Sequence, residues 1–184
     1  MIYYELAEKY RTGIYFDYSP SNSIDGYEFY TRGEVKYAGH IAYDIDTIDS
    51  YIDDYDLLPV AGGPLLASRK FRTAFSALED QNQVQYFPAV IRDKSKLENH
   101  DFFALNVVPV HSGLDKEKSV VFADEFGISE VQKLALIPGF MGESEICRLG
   151  EDKVKIIVTS KFKSIWKQLD LKGAEFVPEG HSIY

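Results

Sequence analysis

Phe71, Ala74, Phe75 and Leu78 fall at i, i+3, i+4 and i+7, and so do Phe162, Ile165, Trp166 and Leu169. Each set makes one apolar stripe on the helical period and predicts an amphipathic helix. Ser68 is the expected N-cap of the first; Thr159 or Ser160 is that of the second. Lys172-Gly173 predicts the stop of the second helix. Elsewhere the pattern is that of strands. Phe102 to Val110 is a near-continuous apolar run, and Ser119 to Ala123 and Lys153 to Thr159 are rich in β-branched residues, as buried strands require. Gly26 to Tyr30 and Glu34 to Tyr43 are aromatic-rich and bounded by turn residues, which predicts strands paired as hairpins. Ser19-Pro20-Ser21-Asn22 reads as a turn, and Ser129 to Ala135 as a short helix ending near Pro138-Gly139. Helices and strands alternate without a βαβ rhythm, so the expected class is α+β, a mixed or antiparallel sheet with a few packed helices.

An internal echo adds to this. Ser68, Phe71, Phe75 and Leu78 recur as Ser160, Phe162, Trp166 and Leu169, with Lys70-Phe71-Arg72 matching Lys161-Phe162-Lys163 at an offset of 91. Tyr86-Phe87-Pro88 is answered by Phe176-Val177-Pro178. Two copies are too few for a solenoid; they predict a duplicated helix–strand unit, each strand short and ending at its proline, packed on a shared sheet. Composition divides the chain near residue 60. Residues 1–60 hold 11 of the 13 tyrosines, and Gly62-Gly63-Pro64 reads as a hinge or sharp connection. The expected organisation is a Tyr/Asp-rich β-type N-terminal subdomain, 1–60, and an α+β domain, 61–184, the alternative being one continuous domain over 1–184.

Charge sharpens the division. The net charge is −9, and residues 1–60 carry 12 acidic against 4 basic side chains, whereas residues 61–184 carry 17 against 16. An acidic face repels phosphate, which disfavours nucleic acid, and it steers a basic protein partner. The one cysteine, Cys147, cannot form an intramolecular disulfide and sits in a strand-like segment, where a buried small hydrophobe is expected. The N-terminus lacks a basic stretch followed by an apolar run, and no segment is long and apolar enough for a membrane helix, so the expected location is the cytoplasm, with no membrane partner.

The search for chemistry is largely negative. Gly13-Ile14-Tyr15 is similar to the opening of a nuclease motif, but no Tyr-Ile-Gly follows at the required distance. His40, His100, His111 and His181 are never three or four residues apart, so no zinc-type pair arises; the His–carboxylate neighbours are His100 with Asp101 and His111 with Asp115. No phosphate-cradling loop or Gly-x-Ser-x-Gly elbow is present. No catalytic residue, metal ligand or cofactor is therefore expected. What stands out is Tyr43, Asp44, Asp46, Asp49, Tyr51, Asp53, Asp54, Tyr55 and Asp56. Three readings of the acids are open: a solvated edge, a surface for a partner, or a hard-cation site. The tyrosines fit either hairpin packing or a patch that receives Lys and Arg from a partner. The nine residues are taken as the candidate partner-binding set. The rival readings are a metal-dependent hydrolase using the Asp cluster with His100 or His111, and a general protein-binding regulatory module.

Three further stretches carry a family likeness: Pro64-Leu65-Leu66-Ala67-Ser68 running into the Phe71 helix and on to Val84-Gln85-Tyr86-Phe87-Pro88-Ala89; Phe102-Phe103-Ala104-Leu105-Asn106-Val107-Val108 followed by Asp115 and Ser119; and Ile156-Ile157-Val158-Thr159-Ser160 with Ile165-Trp166, Leu171-Lys172-Gly173-Ala174-Glu175-Phe176 and Pro178. Over roughly residues 60–180 the chain resembles the Imm-eleven-like immunity proteins of bacterial polymorphic toxin systems. The resemblance implies a gene beside a toxin gene, a cytosolic product, and inhibition of the cognate toxin by stoichiometric binding. It assigns Asn106, Asp115 and Ser119 no catalytic role, so they are carried over as structural polar residues.

Overall fold

A computed structural model describes residues 2–11, 14–124 and 127–181. Strands β1 (Tyr3–Glu8) and β2 (Phe16–Tyr18) lead to a single-turn helix, α1 (Glu28–Thr31), and to β3 (Ile41–Ile45). A 3-10 turn (Ile52–Asp54) precedes three short strands, β4 (Leu57–Leu58), β5 (Val60–Ala61) and β6 (Leu65–Ser68). Helices α2 (Arg69–Ala74) and α3 (Ser76–Asp80) follow, then the long β7 (Val84–Asp93), β8 (Glu98–Asn99), β9 (Phe102–Val107) and β10 (Val110–His111). The chain continues through β11 (Val120–Asp124), β12 (Gly127–Lys133), β13 (Ile146–Leu149), β14 (Asp152–Thr159), α4 (Ser160–Gln168) and β15 (Ala174–Pro178). The class is α+β, with sheet predominating.

The larger sheet runs β4-β6-β9-β7-β3-β2-β5, with β8 paired to β7. Its two edge strands, β4 and β5, are separated in sequence only by Pro59. Leu57 and Leu58 pair with Ala67 and Leu66, while Val60 and Ala61 pair with Phe16 and Asp17. Pro59 has no N–H to extend the ladder with β6, and its carbonyl instead accepts the Phe16 N–H at 3.1 Å. One five-residue segment thus leaves one edge of the sheet and joins the other, so the sheet curls into a nearly closed barrel and its edges are largely covered.

Strand alternation fills this barrel. Phe16, Ile41, Tyr43, Leu58, Leu66, Phe87, Ala89, Ile91, Phe102 and Ala104 point inward and are buried, with Phe29 of α1 closing the packing. The outward residues Leu57, Leu65, Ala67, Val84, Tyr86, Leu105 and Val107 form a second core with Leu6, Ile146, Ile156 and Val158 of the smaller sheet and with α2 and α4. That sheet runs β10-β13-β14-β1-β15. Its far face holds Tyr3, Cys147, Leu149 and Ile157 beneath Leu114, Val131, Leu134, Leu136 and Met141. Strands from the first sixty residues therefore lie hydrogen-bonded among later strands in both sheets.

The two helix starts share one cap. Ser68 accepts the Phe71 N–H and Thr159 accepts the Phe162 N–H. Thr159, not Ser160, is thus the second N-cap. Phe75 stacks on Phe162 at 4.1 Å between ring centroids with an 8° interplanar angle, so the two helices meet through their stripes. The strands that follow do not share a sheet, however: β7 lies between β9 and β3, and β15 pairs with β1. Nor does β7 end at Pro88; it continues to Asp93, changing partner from β9 to β3 at Pro88–Ala89.

Several expectations are corrected. Gly26 to Tyr30 lies in a turn and α1, and Glu34 to His40 is irregular: Phe29 and Val35 join the barrel core from a helix and a loop rather than from strands. Ser129 to Ala135 is not helical; β12 pairs antiparallel with β11 through two register shifts. Leu169 is exposed, since α4 stops at Gln168 and the left-handed Asp170 turns Leu171 into the core instead. Gly173 does not end the helix. At φ +105°, a Cβ there would collide with the Leu57 carbonyl oxygen, so only glycine lets this loop press against β4. Gly62-Gly63-Pro64 is a sharp connection within the larger sheet, held by Tyr30 Oη donating to the Gly63 carbonyl at 2.5 Å and Tyr43 Oη to the Pro64 carbonyl at 2.9 Å.

Candidate functional site

The outward positions of β2 and β3 place Asp17 and Asp44 directly opposite each other on antiparallel strands. Like charges in that position destabilise a sheet. Arg92, on the other neighbour of β3, is in register with Asp44 but donates to Glu98 at 2.9 Å. Asp46 pairs with Lys94 at 2.6 Å on an exposed edge. Asp17, Asp44, Asp46, Arg92, Asp93 and Lys94 line a hollow of about 260 Å³ on the barrel's outer wall. Asp93 is a turn organiser: it accepts hydrogen bonds from Ser95 and from the Leu97 N–H, and the Ser95 hydroxyl holds its carboxyl below the usual carboxylate range.

The rest of the expected set lies around the 3-10 turn or inside the molecule. Asp49 accepts the Arg11 guanidinium at 2.6 Å and the Tyr51 N–H at 2.9 Å, while Arg11 also lies 4.6 Å from the Tyr51 ring centroid. Tyr51, Asp53 and Asp54 are exposed. Tyr55 is half-buried against Tyr10, centroids 4.6 Å apart. Two members are not surface groups at all. Tyr43 is completely buried in the barrel, where burial raises its hydroxyl well above the ordinary range. Asp56 is 6% exposed; it accepts Ser68 Oγ at 2.7 Å and the Lys172 N–H at 3.0 Å, tying β6 to the Gly173 loop. Burial removes both from any direct contact surface. The acidic run thus yields a wall patch and a turn patch, flanked in sequence by two buried residues, Tyr43 and Asp56.

The histidines do not join the acids. His100 Nε2 lies 3.0 Å from Glu98, and His111 Nε2 lies 3.0 Å from Ser144 Oγ, while Asp115 pairs with Lys118 at 2.7 Å. Among the described residues no group of three or more His, Cys, Asp or Glu side chains is placed to hold a metal ion. Gly13 of the nuclease-like tripeptide lies outside the described residues. Cys147 is fully buried, and burial pushes its thiol up to about 12. Among the described residues no helix is long and apolar enough to cross a membrane.

Against this geometry, the family model for the immunity protein family Imm11 matches residues 25–180. The chain belongs to the Imm11 immunity protein family. No curated protein matches it. The Imm11 match begins at residue 25 and so includes the acidic run and the whole of β3, both upstream of the family-like stretches at 64–178. An immunity family indicates a toxin-immunity role, and with it a toxin partner.

In this Imm11 chain the family-like polar positions are structural. Asn106 donates to the Gly33 carbonyl at 2.6 Å and to Gln85 Oε1 at 2.9 Å, and Gln85 Oε1 accepts the Val35 N–H at 2.8 Å, so this pair fastens the 33–35 loop to the barrel end. Ser119 Oγ donates to the Ala135 carbonyl and accepts its N–H, both at 3.0 Å. Two residues with functional potential escaped the sequence reading. Asp17 lies far from the run in sequence, and only strand pairing brings it to Asp44. Arg148 is a guanidinium 2% exposed within the apolar strand Ile146–Leu149. A charge inside so short an apolar run was the available signal.

Proposed function

We propose that this Imm11 chain neutralises a basic toxin by stoichiometric binding, without turnover, through the acidic tyrosine-bearing outer surface of the barrel. The observation that carries the reading is the Asp17–Asp44 pair. Two carboxylates face each other across a ladder while the nearest register-matched cation is engaged elsewhere. Such a pairing costs stability in the free protein and is relieved when a partner's Arg or Lys enters between them. Asp46 and the hollow extend this wall, and Asp49, Tyr51, Asp53, Asp54 and Tyr55 supply the second patch. The intramolecular contact of Arg11 with the Tyr51 ring and Asp49 supports the reading that a toxin arginine would engage ring face and carboxylate together. Tyr43 and Asp56 act from inside, as supports. A cytoplasmic setting accords with one reduced, buried cysteine.

Association kinetics with the toxin encoded beside the gene test this surface. Asp44→Lys and the double change Asp53→Lys, Asp54→Lys should each slow association about tenfold or more at low salt and flatten its salt dependence, with folding unchanged. Unchanged rates in both variants would remove the acidic surface from the interface.

A further inference from the structure

A groove of about 430 Å³ lies where the barrel meets the smaller sheet, lined among others by Glu5, Tyr15, Tyr30, Gly63, Arg148 and Lys155. Arg148 is the feature that requires explanation. Its side chain is 2% exposed, yet among the described residues no carboxylate stands within 4.0 Å of its nitrogens. Nη1 donates to the Lys153 carbonyl at 2.9 Å, the guanidinium lies 4.7 Å from the Tyr30 ring centroid, and Nε has no hydrogen-bond partner. Burial lowers it to about 10, so it is charged at neutral pH. The other cation of the groove is already matched: Lys155 Nζ meets Glu5 Oε1 at 2.6 Å, both side chains largely shielded. A buried charge with an unfilled donor is costly unless something pairs with it.

We infer that this groove is a carboxylate-recognition site in which Arg148, backed by the Tyr30 ring, pairs with a carboxylate brought by a ligand. The planar fork of a guanidinium matches a planar carboxylate. Among the described residues Arg148 lacks a carboxylate partner and calls for a single negative charge, while Glu8 and Asp152, which also line the groove, repel any anion and penalise a phosphate dianion more than a carboxylate monoanion. The carboxylate comes either from a polypeptide side chain or from a free small acid. This site is separate from the acidic wall, and its chemistry has the opposite sign: it takes acid where the wall takes base.

The test needs no toxin. The ¹⁵N-labelled chain is titrated with butyrate, with a capped Gly-Glu-Gly peptide against its Gly-Gln-Gly counterpart, and with inorganic phosphate, following the arginine Nε–H and tyrosine ring signals. The expected result is a saturable shift of the Arg148 Nε–H and the Tyr30 ring with a carboxylate probe. Preference for the glutamate peptide marks a polypeptide source, and preference for butyrate a free acid. Arg148→Met keeps the apolar stem and removes the charge, and should weaken binding about ten- to hundredfold. If that variant does not fold, Arg148→Lys, which keeps the charge but loses the fork, should weaken it about tenfold. No saturable shift with either carboxylate, tighter binding of phosphate than of both, or equal binding by the folded variant would overturn the assignment.

Discussion

Single side chains in this protein divide sharply between those that hold the barrel and those that face outward, and the division does not follow residue type. Tyr43 and Tyr51 are eight positions apart in one acidic, aromatic stretch, yet one is sealed inside and the other is 51% exposed. Tyr43→Phe should cost roughly 1–2 kcal/mol in urea unfolding, because the Pro64 carbonyl loses its donor in a dry interior. Association with the toxin should not change. Cys147 provides a pH test. Its ordinary value is 9.0 and the folded value is about 12, so the folded chain keeps a proton that the unfolded chain gives up. Stability from this group is therefore complete below pH 9 and falls as pH rises toward 12. Tyr10 and Tyr18, raised from 10.0 to about 12 chiefly by burial, add to the decline in the same direction. Chemical denaturation across pH 8 to 11 should show the loss begin at about pH 9, and Cys147→Ala should delay its onset. A flat profile would contradict the burial described for the thiol.

At the scale of elements, the decisive joints are those where one segment serves two neighbours. Segment 57–61 hands the chain from one barrel edge to the other, and the loop at Gly173 presses on it from the smaller sheet. Gly173→Ala combines a left-handed backbone with a collision against the Leu57 carbonyl and should destabilise by roughly 2 kcal/mol or more, read by thermal unfolding. Phe162→Ala empties the space between the helices, where Phe162 stacks on Phe75, and should cost about 3–5 kcal/mol. The helix starts and the Phe102 strand were legible in the sequence because capping and period are local, as at Ser68–Phe71 and Thr159–Phe162. The first stripe, however, is broken at Phe75 into α2 and α3, and the Ser119 to Ala123 segment, expected as a buried strand, leaves Val120 and Phe122 exposed. What was not legible is non-local. Gly26 to Tyr30 has the composition of a strand but forms a turn and helix from which Phe29 joins the barrel core, and β12 is a strand only because β11 pairs with it. The same limit applies to the site. The exposed acids at 46, 53 and 54 could be named from the charge run, whereas Asp17 across from Asp44, and Arg148 beside Tyr30, exist as neighbours only after folding.

At the scale of the whole molecule, the chain presents a barrel wall on which Asp17, Asp44, Asp46 and Asp93 gather beside Arg92 and Lys94. Net charge of −9 adds a long-range field to this local one, which speeds encounter with a cationic partner and is weakened by salt. The binding proposed for this wall needs it held in place, and near-closure of the sheet, with its edges handed over at Pro59, supplies that. The most direct measurement is a calorimetric titration of the cognate toxin with this chain at low and high salt, run beside a toxin activity assay. Activity should vanish at one equivalent, affinity should fall by tenfold or more as salt rises, and Asp44→Lys should weaken binding. Silencing of the toxin by substoichiometric amounts of the chain, or activity that persists at saturating excess, would contradict neutralisation by a held complex.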